Sequence, residues 1–442
     1  MKTNKSQNLK SIPTGYKQTE VGIIPEDWKV SSIGDLCVIF GRIGFRGYTK
    51  ADIVSQDQGV LSISPSNIFD GRTNFTHGTY ITRQKYEESP EIKIYEDDIL
   101  LVKTGSTYGK IALVKNLKED ATLNPQVVVF KRLKIPAAFL AYIMQSDIVQ
   151  NQIEETIVGG AIPTLSQKVV SNYKIPLPAP SEQLAIANVL SETDALIIAI
   201  EKLIAKKQAI KTASMQQLLT GRTRLPQFAK HPTGAHNGYK TSDVGQIPAD
   251  WEVRPFGEIT RLSSSRINPK IKGGGDLCIE LEHIQPNTGY LLGKTCTTRD
   301  SSLKNTFEPG DILFGKLRAY LKKYWFANIS GVCSTEFWVF KPEDQLVISK
   351  FIYYIIQTDN FIATAAESYG THMPRADWKV VKDYQVILPK IEEQTAITTF
   401  LSDMDAELEA LEQKLAKVRD IKQGMMQKLL TGRIRLPLDQ QP

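Results

Sequence analysis

The sequence predicts an α+β chain made of one unit used twice, in which two mixed α/β regions alternate with two long helices. Three observations lead there. Residues 180–226 (PSEQLAIANVLSETDALIIAIEKLIAKKQAIKTASMQQLLTGRTRLP) recur in outline at 389–437 (PKIEEQTAITTFLSDMDAELEALEQKLAKVRDIKQGMMQKLLTGRIRLP). Residues 15–30 (GYKQTEVGIIPEDWKV) recur at 238–253 (GYKTSDVGQIPADWEV), identical at 10 of 16 positions on an offset of 223. Between these repeats the halves diverge, and short runs of β-branched and aromatic residues there read as strands. Two copies on a period of about 220 residues make a domain duplication and not a solenoid.

Each element follows from local signals. In the opening motif, Trp28 and Trp251 stand in matching Pro-x-Asp-Trp sequences and read as packing anchors of a constant frame. The variable regions, 31–173 and 254–384, carry strands at 98–102, 110–114, 127–130 and 336–340, and helical stretches at 139–152 and 347–366. The long repeats start on a proline followed by acidic residues (Glu182; Glu392 and Glu393), which suits the positive end of a helix. Both close on Leu-Leu-Thr-Gly-Arg, where Gly221 or Gly432 is placed for a left-handed cap. In the second copy Leu401, Met404, Leu408, Leu411, Leu415, Val418, Lys422, Met425 and Leu429 step by three and four, a coiled-coil seam that only Lys422 breaks. The first copy has two stripes, Leu190/Ile197/Ile204 and Leu196/Ile200/Leu203/Ile210, so it asks for more than one neighbour. Thirty-nine residues from Ser181 to Leu219 make a rod of roughly 58 Å, a spacer's length. Residues 227–237 read as a loop.

Composition narrows the class. Hydrophobic content of 41% and charged content of 23% suit a soluble protein of two or three domains, and no apolar run approaches the ~18 residues of a membrane helix. The first residues lack the apolar core of a secretion signal, so a cytoplasmic location is expected. Cys37, Cys278, Cys296 and Cys333 have no metal-site spacing and are expected as buried thiols. A net charge of +6 is a mild bias toward polyanions, so the distribution of charge has to carry any nucleic-acid argument.

Four stretches concentrate suitable donors. Lys103, Thr104, Ser106, Tyr108 and Lys110 cluster on GSTYGK, which fails as a phosphate-binding P-loop for want of one residue between its glycines and of a Ser/Thr after its lysine. It reads as a strand-to-strand turn whose donors suit phosphates or base edges. Arg42, Arg46 and Tyr48 are interleaved with glycines that let a backbone approach a surface. The second region offers Ser264 and Arg266 early, and Lys316, Arg318, Tyr320, Lys322 and Lys323 after a strand.

A repeated opening motif and helix around divergent cores resembles, over nearly the full length, the DNA-specificity subunit of type I restriction-modification enzymes. The likeness rests on GYKQTEVGIIPEDWKV, DILLVKTGSTYGKIALV, GDILFGKLRAYLKK with STEF, and EEQ opening a helix that ends in LLTGR. The resemblance implies two target-recognition domains separated by two long antiparallel coiled-coil helices, related by a pseudo-twofold. It divides the chain into 1–178, 179–237, 238–388 and 389–442, as opening segment plus domain, helix plus linker, and the same again. It implies a double-stranded DNA partner with a bipartite target, two methyltransferase subunits docked on the helices, and restriction/translocase subunits. S-adenosylmethionine and ATP belong to those partners, and no cofactor or membrane to this chain. Leu190, Ile197, Ile204, Leu401, Leu408 and Leu415 are the expected helix-packing residues.

Two other classes compete. A stand-alone methyltransferase would need an Asn-Pro-Pro-aromatic motif, and Asn124-Pro125-Gln126 lacks the second proline. A nuclease would need paired acids upstream of Glu91-Ile92-Lys93. A bare coiled-coil scaffold leaves two large variable regions with basic turns unexplained.

Overall fold

A computed structural model describes residues 12–156, 164–230, 238–299, 301–367 and 374–437. The chain forms two compact units, residues 1–201 with 413–442, and residues 202–412. Each unit holds one opening motif, one variable region and a segment of both long helices. Of the predicted loop 227–237, the part from 231 lies outside the described residues.

The long helices span Pro180–Leu219 and Ile391–Leu429. Both end as predicted. Gly221 and Gly432 have φ of +68° and +69°; their N–H groups donate to the Leu218 and Leu429 carbonyls, and the Thr223 and Ile434 N–H groups reach back to the Gln217 and Lys428 carbonyls, a pair of hydrogen bonds that closes each left-handed cap. A Cβ on Gly221 would collide with Pro248, and one on Gly432 with Pro25. Each helix end therefore sits against the opening motif of its own unit. In the first unit that motif lies over 400 residues away in sequence, and the Tyr16 hydroxyl donates to the Gly432 carbonyl at 2.9 Å.

Ion pairs give the direction of packing. In the first unit Asp194 meets Lys422 and Glu201 meets Arg419; in the second Lys207 meets Glu407 and Lys211 meets Asp405. In each case a later residue on one helix meets an earlier one on the other, so the segments run antiparallel. Leu190, Ile197, Leu401 and Leu408 are buried, and Ile204 and Leu415 half-buried. Of the second predicted stripe only Ile200 is covered; Leu196, Leu203 and Ile210 are 40–45% exposed. An 18-residue window of this helix has a mean hydropathy of 1.4, enough by length and composition to cross a membrane. Its polar face is occupied within the protein, where Asp194 takes Lys422 and the Tyr142 hydroxyl.

Each variable region enters and leaves through a two-stranded antiparallel neck. Lys29–Ser32 pairs with Lys174–Leu177, and Glu252–Pro255 with Gln385–Leu388. Beyond the neck both begin alike. In the first, Val38–Gly41, Val127–Lys131, Ile99–Val102 and Ile111–Leu113 lie side by side. In the second, Thr260–Leu262, Phe337–Pro342, Ile312–Gly315 and Tyr324–Phe326 take the same order. The first sheet then adds two short strands to reach six, whereas the second stops at four, and the further sheets have four and five strands.

Three expectations are corrected. The stretch 139–152 is two helices, Ala137–Gln145 and Asp147–Thr156, and 347–366 is also two, Ser349–Ile355 and Asp359–Ala366. The second break is a cap in which the Thr358 hydroxyl accepts from the Phe361 N–H. Cys296, expected buried, is exposed on the two-residue strand Thr295–Cys296, while the other three cysteines are buried.

Candidate nucleic-acid interface

The predicted donors converge on one edge of each unit. In the first, Val102 lies opposite Val127, and Gly41 lies opposite Val128, so the chain leaves the same end of the sheet at 42–48 and 103–110. The latter is the predicted turn between antiparallel strands, closed by the Gly109 N–H on the Val102 carbonyl and carrying positive φ at Gly105 and Gly109. Lys103 is fastened through its backbone to Gln126 and Leu165, and Thr104 bridges Thr164. Ser106 and Lys110 are exposed; Lys103, Thr104 and Tyr108 are half-buried, Tyr108 against the core.

Arg42 departs from expectation. It is 5% exposed, its Nε donates to the Leu123 carbonyl at 2.9 Å, and its other nitrogens reach Thr122 and the Arg46 carbonyl. Burial lowers its pKa from the ordinary arginine value. The guanidinium is spent on holding the loop and does not face outward. Tyr48 lies beneath it, 5.4 Å from ring centre to guanidinium carbon, with its hydroxyl accepting from Ser62 and Asn124. Arg46 lies 3.5 Å from Glu91.

In the second unit Gly315 lies opposite Phe337, and the Phe337 carbonyl takes the amide of Asn305, which also accepts from Arg266 Nε. Ser264–Arg266 and 316–323 are thereby brought to the same edge. Ser264, Arg266, Arg318 and Tyr320 are exposed, and Lys316, Lys322 and Lys323 half-buried. Lys322 pairs with Asp359 at 2.7 Å, and Lys323 donates to the Leu281 carbonyl. Arg375 joins this edge through the bridge of Leu317 to Arg375 and pairs with Glu336. Among the described residues, Lys316 and Arg318 have no side-chain partner, whereas Arg266, Lys322, Lys323 and Arg375 each have one.

The sequence profile of the type I restriction modification DNA specificity domain matches residues 25–212 and 248–419. The chain belongs to this family. The matched spans take in both variable regions whole and part of each opening motif and long helix. The type I restriction enzyme MjaVIII specificity subunit of Methanocaldococcus jannaschii is 25% identical, over 93% of this chain and 94% of its own. The EcoDI specificity subunit of Escherichia coli is 25% identical over 69% of this chain and 72% of its own. Among solved structures, the S subunit of a type I restriction-modification system from M. genitalium superposes with a TM-score of 0.54 at 16% identity, over 91% of this chain and 96% of that one, a likeness of fold.

Sequence reading missed the clamp that fixes each unit of this specificity-family protein. In one, Trp28 Nε1 donates to Glu182 at 3.1 Å while Arg435 reaches Glu182 and Asp27. In the other, Trp251 Nε1 donates to Glu393 at 3.0 Å while Arg224 reaches Glu393 and Asp250. Glu182 and Glu393 are buried in the first turns of their helices. The signal was present in the repeated Arg-x-Arg-Leu-Pro, whose second arginine is the one used.

Proposed function

We propose that the chain is the DNA-specificity subunit of a type I restriction-modification complex, non-catalytic itself, with each unit reading one half of a bipartite duplex target. One observation carries this reading: a single frame, repeated partner for partner, presents two chemically different donor edges at the same topological place. A scaffold has no use for that difference. The first edge reads through Lys103, Thr104, Ser106, Tyr108 and Lys110 with Arg46 and Tyr48 beside them; the second reads through Ser264, Arg266, Lys316, Arg318, Tyr320 and Lys322. Arg42 is excluded because its donors are committed inside the unit.

On this reading 1–178 and 238–388 are the recognition segments, and 179–237 and 389–442 space them. Two methyltransferase subunits dock on the long helices, whose first copy exposes Leu196, Leu203 and Ile210. Restriction/translocase subunits complete a cytoplasmic assembly, S-adenosylmethionine and ATP being bound by the partners. The test is a labelled methyl-transfer assay beside a salt titration of duplex binding. The isolated chain transfers no methyl group, and its binding, alone or with the modification subunit, weakens steeply as salt rises. Methyl incorporation by the isolated chain, or binding indifferent to salt, would overturn the assignment.

A further inference from the structure

We propose that Arg318 recognises a guanine in the half-site read by the second unit. The inference rests on the DNA-reading assignment of that edge and goes one step further, to one side chain and one base.

The backbone comes first. Arg318 has φ +53° and ψ +59°, and Lys322, four residues on, has φ +51° and ψ +49°. Both lie in the left-handed region that non-glycine residues seldom occupy. Between them runs a single 3-10 turn, Ala319–Leu321. Such conformations persist only where the surroundings over-determine them, and they collect at working sites. Here they are over-determined. The Arg318 N–H donates to the Pro374 carbonyl at 2.8 Å, its carbonyl accepts from Leu321 at 2.8 Å, and the Lys322 carbonyl accepts from Asn287 at 3.0 Å. Lys322 Nζ is tied to Asp359, and Ala319 is buried beneath the turn.

The side chain is the opposite case. Arg266, Lys322, Lys323 and Arg375 each have a partner at this edge, respectively Asn305, Asp359, the Leu281 carbonyl and Glu336. Arg318 has none among the described residues and is exposed. A rigid backbone thus presents an unspent guanidinium beside Tyr320, itself 54% exposed. Lys316 shares the lack of a partner, but an ammonium is a point charge. The planar fork of arginine spans guanine O6 and N7 together. Among the described residues the first edge has no equivalent: Arg42 points inward, Arg46 lies beside Glu91, and the exposed side chains of its turn are Ser106 and Lys110. The arginine–guanine contact therefore belongs to one half-site only.

The experiment offers the full chain, alone and with its modification subunit, a pool of duplexes with a long randomised centre, and sequences the bound fraction. Wild type selects a bipartite motif. Arg318→Lys and Arg318→Gln each lose the preference for G at one position of the second half-site, by about 5- to 150-fold, and keep every other position. The first half-site reports in the same tube that the chain is folded. An unchanged motif in both variants overturns the proposal. So does uniform weakening across sequences with a shallower salt slope, since that marks a phosphate contact, and so does loss of both half-sites, which marks a structural residue. Failure of the wild type to select any motif would instead sink the DNA-reading assignment beneath it.

Discussion

In the first unit Tyr142 donates to Asp194, which pairs with Lys422; in the second Tyr354 donates to Asp405, which pairs with Lys211. Gln183 donates to the Pro178 carbonyl and Gln394 to that of Pro389. Asp98 holds Lys131, and Asp311 holds Lys341. Partner for partner, the frames coincide. The edges share lysines and a tyrosine but differ in backbone and in what they expose: Ser106 and Lys110 on a glycine turn in one, a left-handed Arg318 and Tyr320 in the other. Side chains that hold the helices to the variable regions must satisfy one geometry twice, whereas the exposed side chains of the edges are under no such constraint and are free to differ.

The frames also differ in ways that can be measured. Arg224 has 6% of its side chain exposed, whereas Arg435 has 42%. Glu393→Ala leaves the buried Arg224 with Asp250 as its one remaining carboxylate among the described residues and removes the acceptor of Trp251, and is expected to cost about 3 kcal/mol. Glu182→Ala costs less, because Arg435 keeps water and Asp27. Urea unfolding of the full chain ranks the two; equal losses would mean that the clamps are equivalent after all. Gly221→Ala and Gly432→Ala come next. Each forces a Cβ into the left-handed region, at roughly 1–2 kcal/mol, and against a proline, so the two should match in the same unfolding assay. A mismatch would break the equivalence of the helix ends.

The smallest expected effect is a pH dependence peculiar to the first unit. Glu201 hydrogen-bonds Arg72 and Arg419, which lower its pKa below 4.5. Its counterpart on the second helix, Glu412, meets Tyr290 instead. A carboxylate with a depressed folded pKa adds stability that is complete above its ordinary value of 4.5 and lost as pH falls through the folded one. Stability followed between neutral pH and acid should lose this component in Arg72→Ala. An unchanged acid limb in that variant would count against it.

Much of the frame was legible because it is local. The helix lengths, the left-handed caps and the strand–turn–strand at 99–113 follow from periodicity and glycine placement within a few residues. Lys422 was legible only as a defect in the seam. Its partners, Asp194 and Tyr142, come from another helix and from the variable region, and no periodicity brings them together. The inward turn of Arg42 is likewise decided by a carbonyl and a hydroxyl about 80 residues away. The second helix break was readable, since Thr358-Asp359 is a capping pair inside an apolar stretch.

The claim that a constant frame carries two independent readers is tested most directly by exchange. Residues 31–173 lie between the strands of one antiparallel neck, so the corresponding region of another specificity subunit can replace them where chain leaves and re-enters at neighbouring positions. The methylated motif is then read by sequencing DNA from cells that carry the chimera with its modification subunit. The account predicts that one half of the target changes, while the other half and the gap stay as they were. A change in both halves, or in neither, would contradict it.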